Sequence, residues 1–375
     1  MKTFDVYPLF PLNIVSGKGA YVFDDKGNEY LDFYGGHAVI SIGHSHPTYI
    51  RTIKEQVEKL GFYSNSVENR LQEELALQLG ASSGYPDYSL FLVNSGAEAN
   101  ENALKLASFH TGKSKVLAFK NGFHGRTSAA VNVTDNEGII APINRGFERQ
   151  LLEMDDIEQV ENALESNDVA AIIIEGIQGI AGIYQPSADF LGGLKRLSKQ
   201  YGAVLILDEI QSGYARSGHF FAHQFVNDLR PDLITMAKGM GNGFPIGGML
   251  VAPHFESRYG LLGTTFGGNH LACAAANAVL QVMREEELIE NAARMGQTLI
   301  KELKGLDGVL EVRGQGLILG LEFDYPVKDL RKKLLFEKKL FVGSASQPNT
   351  IRLLPPLNIT EQEVDFCINR IKEAL

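Results

Sequence analysis

The sequence predicts an α/β protein: a large unit with a helix-covered, mostly parallel sheet, and a small α+β unit assembled from both ends of the chain. Three observations carry this reading. From about Pro47 to Pro253, short apolar runs alternate with longer helix-forming stretches, as strands do when crossover helices bury both their faces. Two of the clearest runs, Ala170 to Glu175 and Val204 to Asp208, end in an acid, the pattern of strands that deliver a side chain at the carboxyl edge of a sheet. Outside this stretch the pattern changes to hairpins and separate helices. The expected boundaries are residues 1–46 and 266–375 for the two parts of the small unit and 47–265 for the large one.

In chain order, Ala20 to Phe23 and Glu29 to Phe33 read as a hairpin closed by Asp24-Asp25-Lys26-Gly27-Asn28. Phe91 to Asn94 is a strand, Ser95-Gly96-Ala97 a tight turn, and Glu98 to Phe109 a helix. Such a turn aims free N–H groups and the positive end of the helix dipole at an anion. Ser-Gly before a helix is also an ordinary cap, so the residues alone leave both readings open. Lys115 to Phe119 is the next strand, followed by Asn121-Gly122-Phe123-His124-Gly125-Arg126-Thr127, where a Phe-His pair fits core filling as readily as a site. Leu233 to Met236 is another strand. After Asn269 a helix-rich segment leads to a hairpin-like pair, Val309 to Arg313 and Gly316 to Phe323, then a further helix and the strand Ile351 to Leu354. No internal repeat, low-complexity tract or Pro/Ser linker occurs.

The chemistry concentrates in Asp208, closing Leu205-Ile206-Leu207, and Lys238, thirty positions later in Ile234-Thr235-Met236-Ala237-Lys238-Gly239. An acid and an amine on one sheet edge suit pyridoxal phosphate. The carboxylate of Asp208 would keep a pyridine nitrogen protonated, and so keep the ring able to accept electrons. A partly desolvated Lys238 has a depressed pKa, so it can bond covalently to the cofactor and later carry protons. Gln211 follows the acid, and a glycine-rich run, Gly241 to Gly248, follows the lysine. That run does not open a helix with dinucleotide-loop spacing. His37, His44 and His46 lack a carboxylate-bearing helix to complete a metal site, so no metal is expected and loop packing is their assigned role.

From Tyr7 to Leu357 these motifs resemble the class III, ornithine-type aminotransferases of the fold-type I pyridoxal-phosphate enzymes. Within that family the chain is most similar to the acylornithine aminotransferases of arginine metabolism, acting on acetyl- or succinylornithine with 2-oxoglutarate. Free ornithine, 4-aminobutyrate or an aminomutase reaction are the alternatives. The resemblance implies that Ser95, Gly96 and Ala97 cradle the phosphate, with Ala97 replacing the family's threonine so that backbone carries more of the load. It also implies that Phe123 stacks on the ring, Gln211 contacts the ring hydroxyl, and Tyr7 and Arg126 hold the acylornithine carboxylate. Thr265, in Gly263-Thr264-Thr265-Phe266-Gly267-Gly268-Asn269, would cross to a partner's phosphate, implying an obligate homodimer. Arg352, in Ile351-Arg352-Leu353-Leu354-Pro355-Pro356-Leu357, would grip the α-carboxylate of glutamate. One departure stands out: where many relatives read Glu-Pro-Ile-Gln-Gly-Glu, this chain reads Glu175-Gly176-Ile177-Gln178-Gly179-Ile180. The acid that pairs with the glutamate-binding arginine is absent. Either Arg352 turns to solvent, Glu175 substitutes, or an anion fills the gap, because an unpaired buried guanidinium is costly.

Composition agrees with a metabolic enzyme. The chain has 375 residues, 44% of them hydrophobic, enough for large cores. With 35 basic against 45 acidic residues the net charge is −10, which argues against nucleic acid or an anionic membrane as partner. Cys273 and Cys367 are too few for a disulfide framework and are not spaced for zinc. The first residues lack the apolar core of a signal peptide and no long apolar run suggests a span, so a cytoplasmic location is expected.

Overall fold

A computed structural model describes residues 1–375. Three strands open the chain: β1 (Ile14–Lys18), β2 (Tyr21–Asp24) and β3 (Glu29–Phe33). Seven follow in the middle: β4 (Ser89–Val93), β5 (Lys115–Phe119), β6 (Arg149–Leu152), β7 (Val169–Glu175), β8 (Val204–Asp208), β9 (Leu233–Met236) and β10 (Gly247–Val251). The last four are β11 (Glu311–Gln315), β12 (Ile318–Glu322), β13 (Leu340–Ser344) and β14 (Thr350–Leu353). The expected hairpin at Ala20 to Phe33 is present as β2–β3, and β1 adds a strand that the sequence pattern did not reveal.

The middle strands form one sheet in the order β4-β10-β9-β8-β7-β5-β6. The pairs β6–β5, β5–β7, β7–β8 and β8–β9 are parallel, while β10 runs antiparallel to both β9 and β4. Every strand of this sheet except β10 therefore ends at the same edge. The central strands β7 and β8 are apolar up to their terminal acids because both faces are covered. Ile172 and Ile174 of β7 and Leu205 and Leu207 of β8 pack with Phe190, Leu191, Leu194 and Leu197, the apolar stripe of helix Ala188–Tyr201. Ala171, Ile173, Val204 and Ile206 point the other way, toward Ala103 and Ala107 of helix Gly96–Thr111.

The second sheet, β1-β2-β3-β13-β14-β12-β11, draws on both ends of the chain, as the sequence led us to expect. Its seam is the parallel pairing of β3 with β13, Leu31 opposite Leu340. The largest apolar core runs without a break from this sheet (Leu31, Leu319, Leu353) into the central one (Met236, Leu250) through helix His270–Glu285 (Val279, Val282). Polar contacts stitch the same junction. Ser41 Oγ donates to Gly239 O at 2.7 Å, and Asn242 Oδ1 accepts from the backbone N–H of Ser41 and Ile42 at 2.8 and 3.1 Å.

Candidate active site

The shared carboxyl edge of the central sheet opens into a cavity of about 410 Å³. Its walls are Asn94 to Ala97 after β4, Phe123 to Arg126 after β5, Glu175 ending β7, Asp208 ending β8, and Ala237 and Lys238 after β9. Val39, Ile180, Ile210, Gln211 and Gly243 to Ile246 complete them. Parallel strands put these side chains together because each ends at the same level of the sheet, the usual place for a ligand in such folds.

Asp208 is buried and held rigidly. Its Oδ2 accepts from Asn100 Nδ2 at 2.7 Å and lies 2.8 Å from His124 Nδ1, while Oδ1 accepts from the N–H of Ile210 at 3.1 Å. Asn100 is held in turn by the hydroxyl of Thr235, on the strand beside Asp208, at 2.7 Å. Three hydrogen bonds thus fix the orientation of one carboxylate. Sequence reasoning did not find Asn100 or assign His124 a role. Asn100 is one helical turn past Gly96 on the face turned to the sheet, a signal available only once that face was known.

Lys238 occupies the left-handed region at φ +44°, a conformation costing on the order of 1–3 kcal/mol for a residue with a side chain. The strain is held by neighbours: Gly241 N–H donates to Lys238 O, and Ser41, in the loop before helix Pro47–Lys59, bonds Gly239 and Asn242 of the same turn. Burial lowers the pKa of Lys238, opposed by the charges of Asp208 and Glu175, and Arg352 lowers it further. A lysine so placed is more readily neutral and nucleophilic than one in solvent.

Ser95 caps helix Gly96–Thr111, its hydroxyl accepting from the N–H of Glu98 at 3.2 Å. The N–H groups of Gly96 and Ala97, in the first turn, have no intrahelical acceptor, and both residues line the cavity. Gly96 is required there: a Cβ would stand 2.7 Å from the Ile210 side chain. Unsatisfied donors, the dipole end, an acid and an amine around one cavity fit a phosphate-bearing pyridine aldehyde.

Arg352, on β14, lies just behind the cavity and is only 2% exposed. It does not turn to solvent. Its Nε donates to Ser344 O, and Nη1 donates to Gly179 O at 3.1 Å and to Gln211 Oε1 at 3.3 Å. Glu175 does not substitute as its direct partner either. Its two oxygens accept instead from the N–H groups of Phe123 and Gly179, both at 2.9 Å. Neutral protein oxygens thus meet the guanidinium, which neither turns to solvent nor takes Glu175 as its partner. Burial lowers the pKa of Arg352 to about 10. Burial raises that of Glu175 to about 7, against the charge of His124 and with that of Asp208 adding to the rise. Gln211, expected at a ring hydroxyl, spans from His37 O (3.0 Å) to Arg352.

Among the sequence-selected residues, Ser95, Gly96, Ala97, Phe123, Arg126, Asp208, Gln211 and Lys238 share the cavity, and Arg352 adjoins it. Tyr7 and Thr265 do not line it and are exposed. The three histidines part company. His44 bonds Asp32, and His46 caps helix Pro47–Lys59, both in keeping with packing. His37 instead stands beside the site: its carbonyl holds Gln211, and loss of solvation, with Arg352 and Lys238 nearby, lowers its pKa to about 4. No group of three or more His, Cys, Asp or Glu side chains is arranged to hold a metal, and no helix is long and apolar enough to cross a membrane.

Fold and site together define a pyridoxal-phosphate-dependent enzyme, with its acid at the end of one strand and its lysine just past the end of the adjacent one. The family model Aminotransferase class-III matches residues 5–375, and the chain belongs to that family. It is 39% identical to the acetylornithine aminotransferase of Bacillus subtilis over 99% of this chain and 97% of that one. To the acetylornithine aminotransferase of Methanopyrus kandleri it is 40% identical, over 99% and 96%. Among solved structures, the ornithine aminotransferase of Toxoplasma gondii superposes with a TM-score of 0.92 at 31% identity, covering 99% of this chain and 92% of that one. The acetylornithine aminotransferase of Elizabethkingia anophelis gives 0.85 at 29%, over 99% and 95%.

Proposed function

We propose that this aminotransferase moves the ω-amino group of an N-acylornithine, the acetyl form first, to 2-oxoglutarate, yielding the acylglutamate semialdehyde and glutamate. Support comes from the relatives of nearly equal length named for acetylornithine, joined to one observation: Lys238, Asp208, Gly96 and Ala97 line one cavity with Arg352 behind it. Bound pyridoxal phosphate would supply the electron sink. Gly96 and Ala97 would hold its phosphate and Asp208 its ring nitrogen, and Phe123 would shield the ring from water. Nζ of Lys238 would hold the cofactor and then move a proton at the substrate carbon that bears the amine. Arg126 and Tyr7 would hold the acylornithine carboxylate, and Arg352 that of glutamate.

The buried arginine favours a dicarboxylate partner and so weighs against an aminomutase. A homodimer fits the exposed aromatic surface of Phe62, Tyr63 and Phe266, from which the neighbouring Thr265 would reach a partner's phosphate. The boundaries 1–46, 47–265 and 266–375 and a cytoplasmic location belong to the same reading. Turnover of N-acetylornithine, N-succinylornithine, ornithine and 4-aminobutyrate with 2-oxoglutarate tests it. The acetyl compound should lead, and preference for free ornithine or 4-aminobutyrate would overturn the proposal.

A further inference from the structure

Arg352 is met by three neutral oxygens, and they are not equivalent. Two are backbone carbonyls: Ser344 ends β13, and Gly179 is fixed by the hydrogen bond from its own N–H to Glu175. The third, Gln211 Oε1, is on a rotatable side chain, makes the longer contact of the two to Nη1, and alone among the three residues lines the cavity. The amide is oriented by its other end, since Nε2 donates to His37 O at 3.0 Å and so turns Oε1 toward the guanidinium. Gly179 makes room for this arrangement: a Cβ there would lie 1.7 Å from Oε1. Nη2 of Arg352 has no protein acceptor at all, so one edge of the guanidinium remains for an incoming group.

We propose that Gln211 is a neutral latch on Arg352: it holds the guanidinium when the site lacks a dicarboxylate and yields Nη1 when a carboxylate arrives to bind Nη1 and Nη2 together. The inference rests on the reading that Arg352 receives the glutamate or 2-oxoglutarate carboxylate. An acid in the latch position would form a charge-assisted pair that an incoming carboxylate must break, whereas an amide is displaced by a stronger acceptor. Ile180, on the wall next to Gly179, offers no competing charge. The consequence is a site open to dicarboxylates at every stage of the cycle, so that unreactive dicarboxylates compete with the amine substrate.

Calorimetric titration of the holoenzyme with glutarate, a dicarboxylate without a keto or amino group, tests this. Cofactor absorbance confirms loading of each variant. Arg352→Ala should weaken glutarate by about ten-fold or more, and Gln211→Glu should do the same by keeping Arg352 paired. Gln211→Leu, of similar size but without an acceptor, should hold the affinity within about threefold of the parent or tighten it. Ile180→Glu brings an acid from the neighbouring wall and should weaken glutarate like Gln211→Glu, which covers failure of the latter to fold. If the acidic variants bind glutarate as the parent does, or if Gln211→Leu is weakened as much as Gln211→Glu, the latch is wrong while the loss in Arg352→Ala still stands. If Arg352→Ala leaves glutarate binding unchanged, the arginine's role fails and the latch with it.

Discussion

Nδ1 of His124, in the loop after β5, lies 2.8 Å from Oδ2 of Asp208, at the end of β8, with both side chains walled from solvent. Nδ1–H donates to the carboxylate, so the histidine helps to fix the orientation of the acid that faces the cavity. His124→Ala removes that donor. A hydrogen bond to a charged group is worth roughly 1.5–3 kcal/mol, so kcat/KM should fall by about 10- to 150-fold with the fold retained by circular dichroism. Unchanged turnover would show that Asn100 and Ile210 suffice.

Asp208→Asn should spare folding and remove most activity, since a neutral amide cannot hold a ring nitrogen protonated. It would also set one amide against the donors of Asn100 and His124. Turnover within about tenfold of the parent, on the order of 1.4 kcal/mol of barrier, would count against the role.

Lys238→Ala should abolish transamination and leave the cofactor bound without a covalent link. Borohydride labelling with peptide mapping locates the link in the parent, and a label on any other lysine sinks the assignment.

Burial raises the pKa of Glu175 to about 7, so between the ordinary glutamate range and that value the folded protein holds a proton that the unfolded chain releases. The sign follows from linkage: this contribution to stability is complete below the unfolded pKa, about 4.3, and is lost as pH rises to about 7. Denaturant unfolding at pH 5 and pH 8 should show a steeper decline for the parent than for Glu175→Gln. Equal slopes would mean that Glu175 is charged throughout.

Arg352→Ala should lower kcat/KM in the glutamate half-reaction by about ten- to 150-fold and much less in the acylornithine half-reaction, from the loss of a charge-assisted contact. Single-turnover kinetics of the two halves decide it, and equal losses would refute a dedicated role.

Local pattern made much of this protein legible from its residues. The strands Lys115 to Phe119, Val204 to Asp208 and Leu233 to Met236 stand where the apolar runs placed them, because a strand buried on both faces is apolar over most of its length. Asp208 and Lys238 could be singled out because strand ends in parallel sheets converge on one edge. The first strand, Ile14–Lys18, escaped because its mostly exposed residues carry no burial pattern. Tertiary structure alone decided that Asn100 and His124 hold Asp208, that Glu175 bonds two backbone N–H groups in place of the arginine, and that Gln211 reaches Arg352 across 141 positions. Periodicity records which face of an element is buried. Which polar atoms then meet depends on how distant loops pack over the sheet edge, and no local pattern encodes that.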